Sequence, residues 1–191
     1  ISSFFNIATV APASLLLLHW LLRLAGRRSG IDAPVLFSLG AVLLLVSGGL
    51  TGIVLAPTAE NLNLHGTAFV VAHFHMLLAG SLVMAYLAGI HEKWRRLAAD
   101  PYGRTPAWMA SILIFLGVNA TFLPHFLLGT LGLPRRLPVY PAEFEALQVL
   151  SWAGATILLV GYLLPLAYLL WSLVRGGGSR LSWGQEGGSS F

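Results

Sequence analysis

Apolar positions along this chain fall into five long blocks separated by short polar stretches, at roughly 4–25, 33–56, 67–90, 106–131 and 147–174. Each block reaches the ~20 mostly apolar residues that a helix needs to cross the hydrocarbon core of a membrane. The pattern predicts an all-α, polytopic transmembrane helix bundle of five spans. The breaks are compact. Arg27, Arg28, Ser29 and Gly30 close the first, and the second runs from Pro57 to Gly66. The third, His91 to Thr105, is charged and contains the turn-forming run Asp100-Pro101-Tyr102-Gly103. The fourth runs from Gly132 to Ala146. Beyond Arg175 the chain turns rich in Gly and Ser, so residues 1–175 read as the membrane bundle and 176–191 as a flexible tail. No internal repeat is visible.

Composition agrees with lipid as the main solvent: 57% of residues are hydrophobic and only 9% charged, against about 25% charged in ordinary soluble domains. Cysteine is absent, which excludes disulfides and thiolate metal sites within the chain. The net charge of +4 does not indicate a nucleic-acid partner, because the basic residues sit between apolar blocks and not on a polar face. Their distribution predicts orientation instead. Arg23, Arg27 and Arg28, then Lys93, Arg95, Arg96 and Arg104, then Arg175 and Arg180 fall on one side of alternating spans. That side should be cytoplasmic, with the tail, most simply in a prokaryotic plasma membrane. Arg135 and Arg136 alone break the rule and call for a local reason. The chain lacks an initiator Met, and its first residues lack a basic signal-peptide region, so a fragment or one half of a split subunit is expected.

All seven acidic residues lie in loops or at span ends, unlike the buried carboxylate common in self-contained proton-coupled transporters. His73 and His75, by contrast, sit inside the third span. Ionisable residues there are costly and usually functional. Two positions apart on a helix is about 200° of rotation, so the two rings leave nearly opposite faces. That spacing does not suit one metal, which prefers positions i and i+4. It suits two separate centres, one on each side, or two core histidines bonded to different neighbours. His19 and His91 read as interfacial or solvated side chains.

Several stretches resemble one family. Gly48-Gly49-Leu50-Thr51-Gly52-Ile53-Val54-Leu55-Ala56 is similar to the GGLTGVVLA run of cytochrome oxidase subunit I, in the haem-copper oxidase superfamily. His65 and Phe69-Val70-Val71-Ala72-His73-Phe74-His75 resemble its HDTYFVVAHFH motif without a gap. Gly117-Val118-Asn119-Ala120-Thr121-Phe122-Leu123-Pro124 resembles GVNLTFFP, Leu133-Pro134-Arg135-Arg136 the MPRR loop, and Tyr140-Pro141 its YPD continuation. Phe4-Phe5-Asn6-Ile7-Ala8-Thr9 and Ala11-Pro12 look like an earlier helix of the same subunit. The likeness runs in order to about residue 174 and corresponds to the last five helices of a twelve-helix fold.

The resemblance implies two haems, one low-spin and one high-spin. His73 matches the proximal ligand of the high-spin haem, His75 an axial ligand of the low-spin haem, and Phe74 the residue between them. Arg135 and Arg136 match the pair that contacts haem propionates, and His65 a residue near the propionates and a non-redox magnesium or manganese site. The family's copper ligands lie on earlier helices, outside this chain. The implied partners are the N-terminal half of subunit I, subunit II with a dinuclear copper centre, possible subunit III, cytochrome c or a similar donor, and membrane lipid, with no nucleic acid. The implied activity is reduction of oxygen to water coupled to proton translocation.

Some positions depart from the family pattern. Gly66 replaces the Asp after His65 and Asn61 replaces another Asp, which removes oxygen ligands that a hard cation wants. Leu16 stands where one branch has a proton-path Lys, Ala13 replaces a Thr of that path, and Ala68 stands for a Tyr. Phe126 takes a position that is His in the family, beside His125. A nitric oxide reductase on the same scaffold, and a non-catalytic haem-relay or structural paralogue, are the alternatives to an oxidase.

Overall fold

The computed structural model describes residues 31–57, 62–97, 102–137 and 139–175. The expected first span, with His19, Leu16 and Ala13, and the tail at 176–191 lie outside the described residues, as do Asn61 and the turn centred on Asp100. Four long helices make up the remainder. Helix α1 spans Ala33–Leu55. Helix α2 is one rod in three parts: an α-helical stretch Ala68–His75, a π-helical turn Met76–Leu82 and an α-helical stretch Val83–Leu97. Helix α3 spans Arg104–Thr130, and α4 spans Glu145–Arg175 after a 3-10 turn at Ala142–Phe144. All four are long and apolar enough to cross a membrane.

The ends follow local chemistry. Asp32 caps α1, its carboxylate accepting from the Val35 N–H at 3.2 Å, with Pro34 in the first turn where no amide donor is needed. Thr67 caps α2 by accepting from the Phe69 N–H at 3.3 Å. Helix α2 continues to Leu97, past the point near residue 90 where hydropathy falls. Charged residues such as Glu92 and Lys93 end the apolar run, but they are good helix formers and do not end the helix. Helix α3 ends in a Schellman turn. Gly132 takes φ +86, its N–H bonds to Gly129 O at 3.1 Å, and the Leu133 N–H bonds to Leu128 O at 2.9 Å.

Helix α2 lies between α1 and α3, and α3 packs along most of its length against α4. Phe37, Leu44, Met76, Met84, Ile114 and Val118 are fully buried at the centre. Close approach of α3 and α4 requires small residues: a Cβ on Gly117 would lie 2.6 Å from Leu158 N. Buried hydroxyls spend their bonds on backbone carbonyls, with Ser81 donating to Ala41 O at 2.8 Å and Ser151 to Thr121 O at 3.0 Å. The outward faces carry Leu39, Leu43 and Leu50 on α1 and Trp152, Leu163 and Leu170 on α4, all exposed. Such a surface suits lipid or further membrane helices.

Gly117→Leu should force α3 and α4 apart and cost about 1–3 kcal/mol as an overpacked contact. A lowered unfolding temperature of the detergent-solubilised protein checks this, with the exposed Leu163→Ala as a control expected to shift it little.

Candidate functional site

The site is built where two loops meet over the start of α2. The Schellman turn after α3 sends Leu133-Pro134-Arg135 back along Gly66-Thr67-Ala68. Ala68 N–H, an orphan donor of the first turn of α2, bonds to Leu133 O at 2.9 Å. Arg135 N–H bonds to Gly66 O at 3.0 Å, and Thr67 and Pro134 form an isolated antiparallel bridge. Arg135, Arg136 and His65, all exposed, are therefore gathered at one end of the bundle. His73 lies five residues along α2 from Ala68, about 8 Å at the α-helical rise. Lys93, Arg104 and Arg175 belong to the opposite end, where Arg104 lies over Trp108 at 4.7 Å and Arg175 over Trp171 at 5.2 Å. Arg104 also donates to Ile31 O at 2.9 Å.

His73 and His75 face different helices, as a 200° separation requires. His73 faces α1. Its Nδ1 lies 3.0 Å from Gly48 O and 2.9 Å from Thr51 Oγ1, and Thr51 itself donates to Gly48 O at 2.7 Å. A carbonyl oxygen only accepts, so Nδ1 carries the proton, and in the neutral ring the lone pair is then on Nε2. The ring fits because residue 52 has no side chain: a Cβ there would lie 2.9 Å from His73 Cε1. His75 faces α3, stacked on Phe122 with centroids 5.1 Å apart and planes at 23°. Its Nδ1 lies 2.8 Å from Val71 O, so the same argument leaves its Nε2 free. Phe74, between the two in sequence, is 39% exposed, with its ring 4.2 Å from that of His75. Among the described residues neither Nε2 has a hydrogen-bond partner. An imidazole held at Nδ1 presents an oriented Nε2, a position from which it could hold a metal.

His91 corrects the expectation of an interfacial or solvated side chain. It is 0% exposed. Its Nδ1 bonds to Leu87 O at 2.7 Å, Nε2 accepts from the Tyr168 hydroxyl, and Phe37 and Tyr102 pack on the ring at 4.6 and 4.7 Å. The physical reason is that α2 continues past residue 90 and turns this ring into the bundle. Both nitrogens are occupied, so His91 is a satisfied core histidine. His125 makes local contacts, with Nδ1 at 2.8 Å from Thr121 O and 3.2 Å from Ser151 Oγ. Among the described residues no three His, Cys, Asp or Glu side chains gather as a metal-binding set.

Residue-by-residue reading did not single out Thr51, Gly52 or Phe122 as parts of this site. The available signal was two glycines four apart, at 48 and 52, on a helix neighbouring an intramembrane histidine.

Fold and site together define a membrane helix bundle that offers two imidazoles, back to back, from one helix. The family model for cytochrome c and quinol oxidase polypeptide I matches residues 1–157, and the chain belongs to that family. A probable quinol oxidase subunit 1 of Staphylococcus epidermidis is 34% identical over 180 residues, covering 92% of this chain and 27% of that protein. Cytochrome c oxidase subunit 1 of Synechocystis is 33% identical over 169 residues, covering 86% of this chain and 30% of that protein. The chain thus spans roughly 27–30% of the length of these relatives. A chain of a haem-copper terminal oxidase dimer, solved by cryo-EM, shares the fold with a TM-score of 0.68 at 24% identity, over 76% of this chain and 27% of its own.

His91→Phe should keep the packing against Phe37 but strand the Tyr168 hydroxyl. The expected cost is about 1–3 kcal/mol, read as a fall in unfolding temperature that Tyr168→Phe in the same background largely reverses.

Proposed function

We propose that this chain is the haem-binding part of the catalytic subunit of a terminal respiratory oxidase. The full assembly would reduce oxygen to water, with electrons from cytochrome c or a quinol, and couple this to proton translocation. The observation that carries the reading is the imidazole pair on opposite faces of α2, each with its Nδ1–H fixed on a backbone carbonyl. His73 would hold the high-spin haem and His75 the low-spin haem. The residues fit that group, since a neutral imidazole anchored at Nδ1 presents a basic, oriented Nε2. When bound, haem supplies the one-electron and oxygen chemistry that these side chains lack.

The chain's own residues bind, orient and insulate. Gly48 O and Thr51 fix the tautomer and rotation of the His73 ring, and Val71 O does the same for His75. Phe122 limits rotation of the His75 plane by stacking on it. Phe74 would fill the gap between the two cofactors and exclude water from it. Arg135 and Arg136 would hold propionates, for which a guanidinium fork is the matching donor set. This gives the local reason for two arginines at the otherwise base-poor end. His65, at the same end, would add a propionate contact. With Gly66 in place of an Asp, we do not assign it a magnesium or manganese ion.

Copper ligands would come from outside this chain, on the N-terminal half of subunit I, and subunits II and III would complete the assembly. The end carrying Lys93, Arg104 and Arg175 would face the cytoplasm. Relatives named for cytochrome c and for quinol both occur, and either class of donor would fit the proposed role.

In the assembled complex, His73→Ala should abolish the haem that binds carbon monoxide and spare the low-spin band. His75→Ala should do the reverse. Reduced-minus-oxidised and carbon-monoxide difference spectra measure both, and two intact haem signals in either variant would overturn the assignment.

A further inference from the structure

Helix α2 has to satisfy two sets of neighbours at once. Near its start, His73 must meet α1 and His75 must meet α3. Farther along, His91 must meet Phe37 on α1 and Tyr168 on α4. The π-helical turn Met76–Leu82 lies between these two anchor points and begins one residue after His75. A π turn places one extra residue in the rod, which rotates everything beyond it by about 100° relative to an uninterrupted α-helix. The turn therefore sets the phase between the histidine pair and the rest of α2.

A widened turn disturbs the α-helical bonding of its carbonyls. Val83 N–H bonds to Gly80 O, not to Ala79 O four residues back. The Tyr162 hydroxyl, reaching across from α4, donates to Ala79 O. Other contacts locate the turn without reaching that carbonyl. Ser81 donates to Ala41 O at 2.8 Å, Ser47 lies 3.2 Å from Met76 Sδ, and Gly80 packs against Val118 and Leu44. Tyr162 is thus a side chain from α4, a helix that does not touch the histidine pair in any contact described above, bonded inside the segment that orients the pair.

We propose that Tyr162 is a positioning residue for the haem ligands: by donating to Ala79 O it holds the π turn at 76–82, and the turn holds the ring planes of His73 and His75. The proposal rests on the haem-ligand reading of those two residues. Removing the hydroxyl lets the extra residue migrate along α2, and the nearest groups to follow are the two imidazoles.

The test is Tyr162→Phe in the complete oxidase, with Tyr86→Phe as control, because Tyr86 lies on α2 just beyond the π turn and is 70% exposed. Haem content is counted first. The low-spin ferric haem is then read by its electron paramagnetic resonance g-values, which report ligand-plane orientation. The high-spin haem is read by its iron–histidine stretching band in resonance Raman. The expected result is two haems retained in Tyr162→Phe, a shift in at least one signature, and no shift in Tyr86→Phe. Tyr162→Trp, which restores an N–H donor, should move the signature back toward the parent. Parental signatures in Tyr162→Phe would overturn the proposal. So would equal shifts in Tyr86→Phe, or a loss of haem that Tyr162→Trp does not restore. If His73→Ala and His75→Ala both kept two haem signals, the ligand reading itself would fail, whatever Tyr162→Phe did.

Discussion

Gly48 O accepts the Nδ1–H of His73 at 3.0 Å, and much of the bundle is arranged so that this bond can form. In an apolar interior an imidazole without a partner costs more than the packing it gains. Pairing Nδ1 with a carbonyl offsets that cost and, in the neutral ring, puts the lone pair on the other nitrogen. The bond needs α1 and α2 to approach closely, so position 52 must lack a side chain. It needs Thr51 to return its own hydroxyl to Gly48 O, which draws donor and acceptor into one small cluster. Once His73 is fixed on α1, helical geometry sends His75 toward α3. There Phe122 receives it, and Val71 O supplies the same anchor from within α2.

The loop at the other side of this arrangement obeys a related constraint. The first turn of α2 leaves amide donors without helical partners, and one of them, Ala68 N–H, is met by Leu133 O. The chain can reach that position only by reversing sharply after α3, which Gly132 allows through its left-handed φ of +86. Arg135 and Arg136 follow three and four residues after Gly132. Their location is therefore a consequence of capping α2, and no separate device is needed to bring them to the end of the bundle above the histidines.

Hydropathy made the helices legible because lipid imposes a length and an apolar composition on each. It placed the third span's end near residue 90, where the structure carries α2 to Leu97, since charge ends an apolar run without ending a helix. The same error hid His91, which looks solvated beside Glu92 and Lys93 but turns inward. His73 and His75 stood out because two histidines inside one apolar span, at a 200° spacing, are rare and costly. Thr51 and Phe122 were not legible from spacing, since their roles depend on which helices become neighbours. The π turn at 76–82 was hidden as well: its sequence, Met-Leu-Leu-Ala-Gly-Ser-Leu, is an ordinary apolar helix sequence.

That turn shows why a bundle of this kind cannot be read one helix at a time. Helix α2 carries polar side chains directed at three neighbours over nearly 30 residues, and an α-helix of uniform pitch fixes all their directions from any one of them. Met76–Leu82 introduces one phase correction between the His73–His75 pair and His91. A correction that breaks backbone bonding inside a membrane needs a donor from elsewhere, and Tyr162 on α4 is that donor. The orientation of the two candidate ligands is thus coupled to α4 through a single carbonyl, although α3 carries nearly all the packing between α4 and the rest of the bundle.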